Sequence, residues 1–130
     1  MTKYKMKQTF EIRCELPDFN TIVNTSKTHW SKYSSPKKGY DAVVSAYARQ
    51  QLKPVQKYPV DIEIHWVCKD KKKDKDNISA GKKFIMDGLV KSGILPSDGW
   101  KHVGDFTDKF SVDRQKPRII VTIKESSNGK

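Results

Sequence analysis

Only two cysteines, Cys14 and Cys68, occur among 130 residues, too few for a disulfide framework to stand in for a packed core. Each falls in an alternating apolar run, where a thiol behaves as a small hydrophobe, so both are expected buried and reduced. No apolar run approaches the roughly 18 residues that read as a membrane span, and Met1-Thr-Lys-Tyr-Lys-Met lacks the apolar stretch of a signal peptide. The expectation is a soluble, cytoplasmic protein. His29, His65 and His102 are scattered and neither cysteine stands at metal-ligand spacing, which argues against a zinc site. A Gly-rich phosphate loop, a nucleophile elbow and an internal repeat are all lacking. Acidic residues are also scarce, 15 against 26 Lys plus Arg, leaving a formal charge of +11. Such an excess attracts polyanions, of which nucleic acid is the commonest in a cytoplasm.

What is present reads as one domain spanning residues 1–130, with 125–130 a polar tail that frays. From Gln8 to Leu16, Phe10, Ile12, Cys14 and Leu16 alternate with polar residues, the period of a strand with one buried face. Pro17 ends that ladder because it has no N–H, and residues 18–36 carry no assignable pattern. After Pro36, Tyr40, Val43, Val44, Tyr47 and Gln51 fall at helical spacing and predict a helix over Lys38–Leu52. Val60–Cys68 alternates again, with His65 on its surface side. A charged loop then leads into an amphipathic helix marked by Ile78, Phe84, Ile85, Leu89 and Val90, closed by Ser92-Gly93. Phe106, Phe110 and Val112 share one parity and Ile119, Val121 and Ile123 another, and Arg114-Gln-Lys-Pro separates these two strands at hairpin-like length. Four strands with wet faces and two main helices predict an α+β fold: a small mixed or antiparallel sheet with the helices on one side.

The sharpest constellation is Asp74-Lys-Asp76-Asn77 at the entry to the second helix, with Lys82-Lys83 on that helix and Asp98 in the turn beyond it. A hard divalent cation takes oxygen ligands, commonly one or two carboxylates plus water and substrate phosphate, so aspartates beside lysines suit phosphate chemistry. The other reading is a solvated charge run in which Asp76 or Asn77 merely caps the helix. A strand-to-helix junction favours the ligand platform, because rigid elements on both sides fix the carboxylates. If the helix begins near Asp76, Lys83 lies nearly two turns on and one turn before Asp87, and it is preferred to Lys82. Asp108 shares the parity of Phe106 and Phe110, which makes it either an inward carboxylate near the metal or the mark of a bulge or strand end.

These residues resemble the RusA-type Holliday-junction resolvases, crossover-junction endodeoxyribonucleases many of which are encoded by phages and prophages. The family motif is an Asp-x-Asp-Asn step, a helix with Lys followed four residues later by Asp and then Ala/Gly-Leu, and a Gly-Val/Ile turn closing on Asp. Here it reads Asp74-Lys-Asp76-Asn77, Lys83-Phe-Ile-Met-Asp87-Gly-Leu89 and Gly93-Ile94-Leu-Pro-Ser-Asp98. Leu16-Pro17 with Asn20, and Phe110-Ser-Val-Asp113 before Pro117, are also similar to the phage branch. Two departures are visible: three extra residues separate Asn77 from the lysine relative to the shortest family pattern, and Ser97 stands where an acidic residue often precedes the last aspartate. The resemblance implies a RusA-like α+β homodimer that cuts four-way DNA junctions by paired symmetric nicks, in a bacterial or phage-infected cell. It further implies that Asp74, Asp76 and Asp98 bind magnesium, with manganese as a substitute, and that Lys83 assists at the scissile phosphate.

Between Thr25 and Lys53, Lys27, Lys32, Lys37, Lys38, Arg49 and Lys53 face Asp41 alone, interleaved with His29, Trp30, Tyr33 and Tyr40. Together with Lys72, Lys73, Lys75 and Lys82 they make a candidate DNA surface, the lysines neutralising phosphates and Trp30 stacking on unpaired bases. The alternative for Trp30 and Tyr40 is packing into the core. Two other functions fit the same charge: a non-catalytic binder of branched or single-stranded DNA, and a structure-selective nuclease on flaps or RNA.

Overall fold

A computed structural model describes residues 6–22 and 30–126, with side chains described from Gly39 onward in the second stretch. The elements are β1 (Lys7–Ile12), α1 (Trp30–Gln51), β2 (Val60–Cys68), α2 (Lys75–Ser79), α3 (Lys82–Lys91), β3 (Val103–Val112) and β4 (Arg118–Glu125). They form one mixed sheet in the order β1-β4-β2-β3 with helices against it, the expected α+β architecture. β4 pairs antiparallel with both β1 and β2, whereas β2 and β3 run parallel. A parallel pair needs a crossover, and α2 with α3 supplies it. α1 makes the other crossover, from β1 past β4's place to β2. Both step the same way across the sheet, so crossovers of the usual common hand carry the helices to one face.

There they pack on each other so closely that a Cβ on Gly88 of α3 would lie 2.5 Å from Val44 Cγ1 of α1. The core lies between, built from Phe10 and Ile12 of β1, Ile62, Ile64 and Trp66 of β2, Val121 and Ile123 of β4, and Phe84, Ile85 and Leu89 of α3. Each such side chain contributes about 1.5–3 kcal/mol when fully buried. The other face of the sheet is polar, with His65 Nε2 2.7 Å from Ser111 Oγ and Thr9 Oγ1 3.2 Å from Thr122 Oγ1. At the β1 edge, Gln51 stands in for a missing strand: its Nε2 donates to Glu11 O and its Oε1 accepts from Glu11 N, each at 2.9 Å. Among the described residues no helix is long and apolar enough to cross a membrane.

Five sequence expectations are corrected. β1 stops at Ile12 rather than Leu16, because its partner β4 begins only after Pro117, which has no N–H to extend the ladder. Leu16 is nevertheless buried, while Cys14 and Cys68 are free thiols only partly buried. α1 begins at Trp30 and runs through Pro36, which forfeits one backbone bond without ending the helix. The second helix is two, broken at Ala80-Gly81, where Gly81 N donates to Ile78 O at 3.2 Å and Phe84 N to Gly81 O at 3.0 Å in tight three-residue turns. Finally β3 and β4 form no hairpin, because β2 lies between them and pairs with both.

Candidate functional site

The β2-to-β3 crossover begins with the charged loop after Cys68, and side chains tie it to the exit of β1. Lys73 Nζ lies 2.9 Å from Asp18 Oδ2 and 3.6 Å from Glu15 Oε2. Asp18 is buried and caps the short helical turn over 19–22, its Oδ1 accepting from Thr21 N at 2.8 Å. Burial pushes the Asp18 carboxyl up, but the hydrogen bonds from Lys73 and Thr21 outweigh it and leave its pKa lowered; Asp18 in turn raises that of Lys73. Lys73 is therefore engaged in the scaffold. A second tether joins Asn77 Oδ1 to Asn20 N at 3.0 Å, so two residues singled out by the sequence meet across the chain. Beneath this loop a cavity of about 260 Å³ is lined by Cys14, Cys68, Trp66, Ile78 and Arg118 among others, and burial raises the pKa of both thiols.

Asp74 occupies the cap position of α2 with extended backbone, φ −70° and ψ 152°, yet its carboxylate makes no cap bond. Asp76 lies one residue into the helix. Among the described residues the carboxylates of Asp74, Asp76 and Asp98 take no hydrogen bond and no ion pair, and all three are exposed. Capping is thus not what occupies Asp76 or Asn77. The contrast with other aspartates is plain: Asp18, Asp87, Asp108 and Asp113 each pair with a lysine or arginine.

The break at Ala80-Gly81 changes the lysine geometry, since no continuous helix now carries Lys83 back toward Asp76. Lys83 forms a surface pair with Asp87, Nζ 3.3 Å from Oδ1, and its side chain is 61% exposed. Lys82 turns the other way, onto β3, with Nζ 2.7 Å from Asp108 Oδ2 and 4.8 Å from the centre of the Phe106 ring. The other Asp108 oxygen accepts from the indole Nε1 of Trp66 at 2.9 Å, and Trp66 is only 3% exposed. Asp108 is thus the inward carboxylate that its parity allowed, in regular strand. What the sequence left unseen was its partner, because Trp66 and Asp108 meet only through the parallel pairing of β2 with β3.

Lys75 lies over Phe110 at 5.6 Å, so the inner side of β3 forms a ledge of Phe106, Asp108 and Phe110 roofed by two lysines. The helices leave this edge strand partly open, and Phe106 is 43% exposed. Lys72 and Lys75 are exposed, whereas Tyr40 packs against Phe84 with ring centres 5.6 Å apart. The side chains of Trp30, Lys32, Lys37 and Lys38 lie outside the described residues.

Asp98 stands elsewhere. Asp74 and Asp76 follow the C-terminal end of β2, while Asp98 precedes β3, whose first residue Val103 pairs with Val60 at the opposite end and bonds back to Gly99 O at 3.0 Å. The length of β2, about 26 Å at 3.3 Å per residue, lies between the two ends. Among the described residues no three His, Cys, Asp or Glu side chains converge to hold a metal ion. Asp74 and Asp76 stand two residues apart in the chain at the opening of α2, and Asp98 lies toward the other end of the β2–β3 pair. No protein-family model matches the chain, and no curated protein matches it.

Proposed function

We propose that this chain is a magnesium-dependent endodeoxyribonuclease of the RusA type, acting on four-way DNA junctions as a homodimer. The observation that carries the reading is the pair Asp74 and Asp76: two exposed carboxylates without a partner among the described residues, set between a strand and a helix in a chain of charge +11. With lysines in such excess, carboxylates left unpaired at a tethered junction suit an external cation better than a structural bond. Their donor chemistry fits magnesium, which is content with one or two carboxylates and takes its remaining ligands from water and phosphate oxygens. When bound, the cation supplies Lewis acidity at the scissile phosphate and a more acidic water.

The residues do the rest. Asp74 and Asp76 would hold the cation, and Lys82, half-withdrawn and aimed by Asp108, favours a phosphate oxygen as negative charge develops. Lys82 is better supported in this role than Lys83, whose ammonium is exposed and turned to Asp87. Water attacks phosphorus and the bond to the 3′ oxygen breaks, leaving a 5′-phosphate and a 3′-hydroxyl. Because Asp98 sits at the far end of its own sheet, it joins this site only as Asp98 of the partner subunit. A two-fold dimer then presents two equal sites to the two strands of a symmetric junction.

The charge of +11 suits a rival as well, a non-catalytic binder of branched or single-stranded DNA. A labelled four-way junction, beside linear duplex, flap and RNA substrates, separates the two when incubated with protein in magnesium and in EDTA. Paired magnesium-dependent nicks in the junction support the nuclease; binding without cutting supports the rival. Mixing Asp76→Asn with Asp98→Asn then tests the shared site. Heterodimers regain one intact site and nick one strand if the aspartates come from two subunits, and stay inert if they come from one.

A further inference from the structure

At the end of the sheet away from Asp74 and Asp76, two loops meet. Val60 N donates to His102 O at 3.0 Å, the His102 ring lies edge-on to Tyr58 at 4.5 Å and 87°, and the Tyr58 hydroxyl donates to Val55 O at 2.8 Å. The turn before β3 is held as firmly: Ser97 Oγ lies 2.7 Å from His102 Nδ1, and His102 N donates to Gly99 O at 3.0 Å. On this braced turn Trp100 is 98% exposed. A large apolar side chain is ordinarily drawn into the core or against a neighbour, and here none of the described residues covers it. Its chain neighbours are Gly99 and Lys101, and Lys57 precedes Tyr58; both lysines are exposed.

We infer that Trp100, on the turn that the Tyr58–His102 contact braces and next to Lys101 in the chain, is a stacking platform for unpaired bases of a nucleic-acid strand. The residues flanking the indole in the chain, Ser97, Asp98, Gly99 and Lys101, are polar or small and do not make the broad apolar rim that a protein partner would need. The indole does match a nucleobase, whose faces are apolar and whose flanking phosphates are negative. Bases are available for stacking where pairing is interrupted, as at a branch point, and the platform shares its turn with Asp98. The inference rests on the nucleic-acid reading above and adds to it a second contact that grips bases rather than the backbone.

The test is equilibrium binding in EDTA of wild type, Trp100→Ala and Trp100→Phe to a four-way junction, to a single strand and to fully paired duplex, with tryptophan fluorescence and elution volume measured on each protein. Trp100→Ala should weaken junction and single-strand binding about tenfold and leave duplex binding within about twofold, since stacking acts only on unpaired bases. Trp100→Phe should recover most of the affinity, and quenching on binding should be largely lost in Trp100→Ala. Equal affinities across the three proteins would overturn the platform while leaving the nuclease reading intact. A later elution of Trp100→Ala with unchanged DNA binding would also overturn it, by assigning the surface to a second copy of the chain. A wild type that binds none of the three nucleic acids would remove the functional reading and the platform with it.

Discussion

Replacing Asp108 with alanine perturbs a polar network that reaches the buried Trp66. Two bonds disappear: Lys82 Nζ to Oδ2 at 2.7 Å and Trp66 Nε1 to Oδ1 at 2.9 Å. Their consequences differ because their surroundings differ. Trp66 is 3% exposed, so its N–H is left without a partner and without water, a loss of about 1–3 kcal/mol. Lys82 keeps about a quarter of its surface in solvent and its contact with Phe106, so its share is at most about 1 kcal/mol. The sum is about 1–4 kcal/mol, or roughly a 10 °C fall in Tm near the middle of that range for a domain of this size. Asp108→Asn retains an oxygen for the indole and should lose only about 1 kcal/mol. Urea denaturation followed by tryptophan fluorescence measures all three proteins, and Lys82→Met, alone and combined with Asp108→Ala, completes a cycle whose coupling should be about 1 kcal/mol. If Asp108→Ala stays within about 0.5 kcal/mol of the parent, the ordinary range for a surface substitution, the network does not brace the ledge.

Acid should unfold the chain partly through Asp18. Its carboxyl is held below the usual range in the folded state, so its contribution is fully present above the unfolded value of about 3.9 and is lost as pH falls through the lower folded value. The urea midpoint should accordingly drop less between pH 6 and pH 3 in Asp18→Asn than in the parent. Gly88→Ala should lower stability by about 1–3 kcal/mol in the same assay, because its new methyl would lie 2.5 Å from Val44 Cγ1 and 3.0 Å from Asp41 O; an unchanged midpoint would mean that α1 and α3 can separate freely. Gln51→Leu should lose about 1–2 kcal/mol and, by uncovering the Glu11 backbone on the β1 edge, raise light scattering at high protein concentration. Lys83→Ala, which removes an exposed one-turn pair, should change stability by no more than about 0.5 kcal/mol.

The strand periods were legible because they record burial directly. Val60–Cys68 alternates over its full length and is β2 to the residue, its even positions through Trp66 lying in the core. The pairing of strands was not legible. A four-residue gap after Val112 looks like a hairpin, yet whether β3 pairs with β4 depends on β2, which lies some forty residues earlier in the chain. The break in the second helix was hidden for another reason. Ala80 and Gly81 keep right-handed dihedrals, so the apolar period continues from Ile78 to Phe84 with little sign of interruption. The tertiary reason for glycine there is the closeness of Trp66 and Leu16, 3.2–3.3 Å from where a Cβ would stand. Asp74 and Asp76 were legible as candidates from charge and spacing, but that they find no partner among the described residues while Lys73 and Asp18 find each other is a property of the folded loop.

The parallel pairing of β2 with β3 links these observations into one constraint. Strands joined in parallel must be connected from the end of one to the start of the other, so the residues that open the crossover and those that close it lie at opposite ends of the sheet. Asp74 and Asp76 open it; Asp98 closes it. No adjustment of side-chain rotamers brings them together, because a carboxylate reaches only a few ångströms and the separation is the length of a strand. A metal site using all three aspartates therefore requires two chains arranged so that the closing turn of one meets the opening turn of the other. The three-aspartate site and the homodimer are thus a single hypothesis, and a strictly monomeric protein that cuts junctions would have to do so with Asp74 and Asp76 alone.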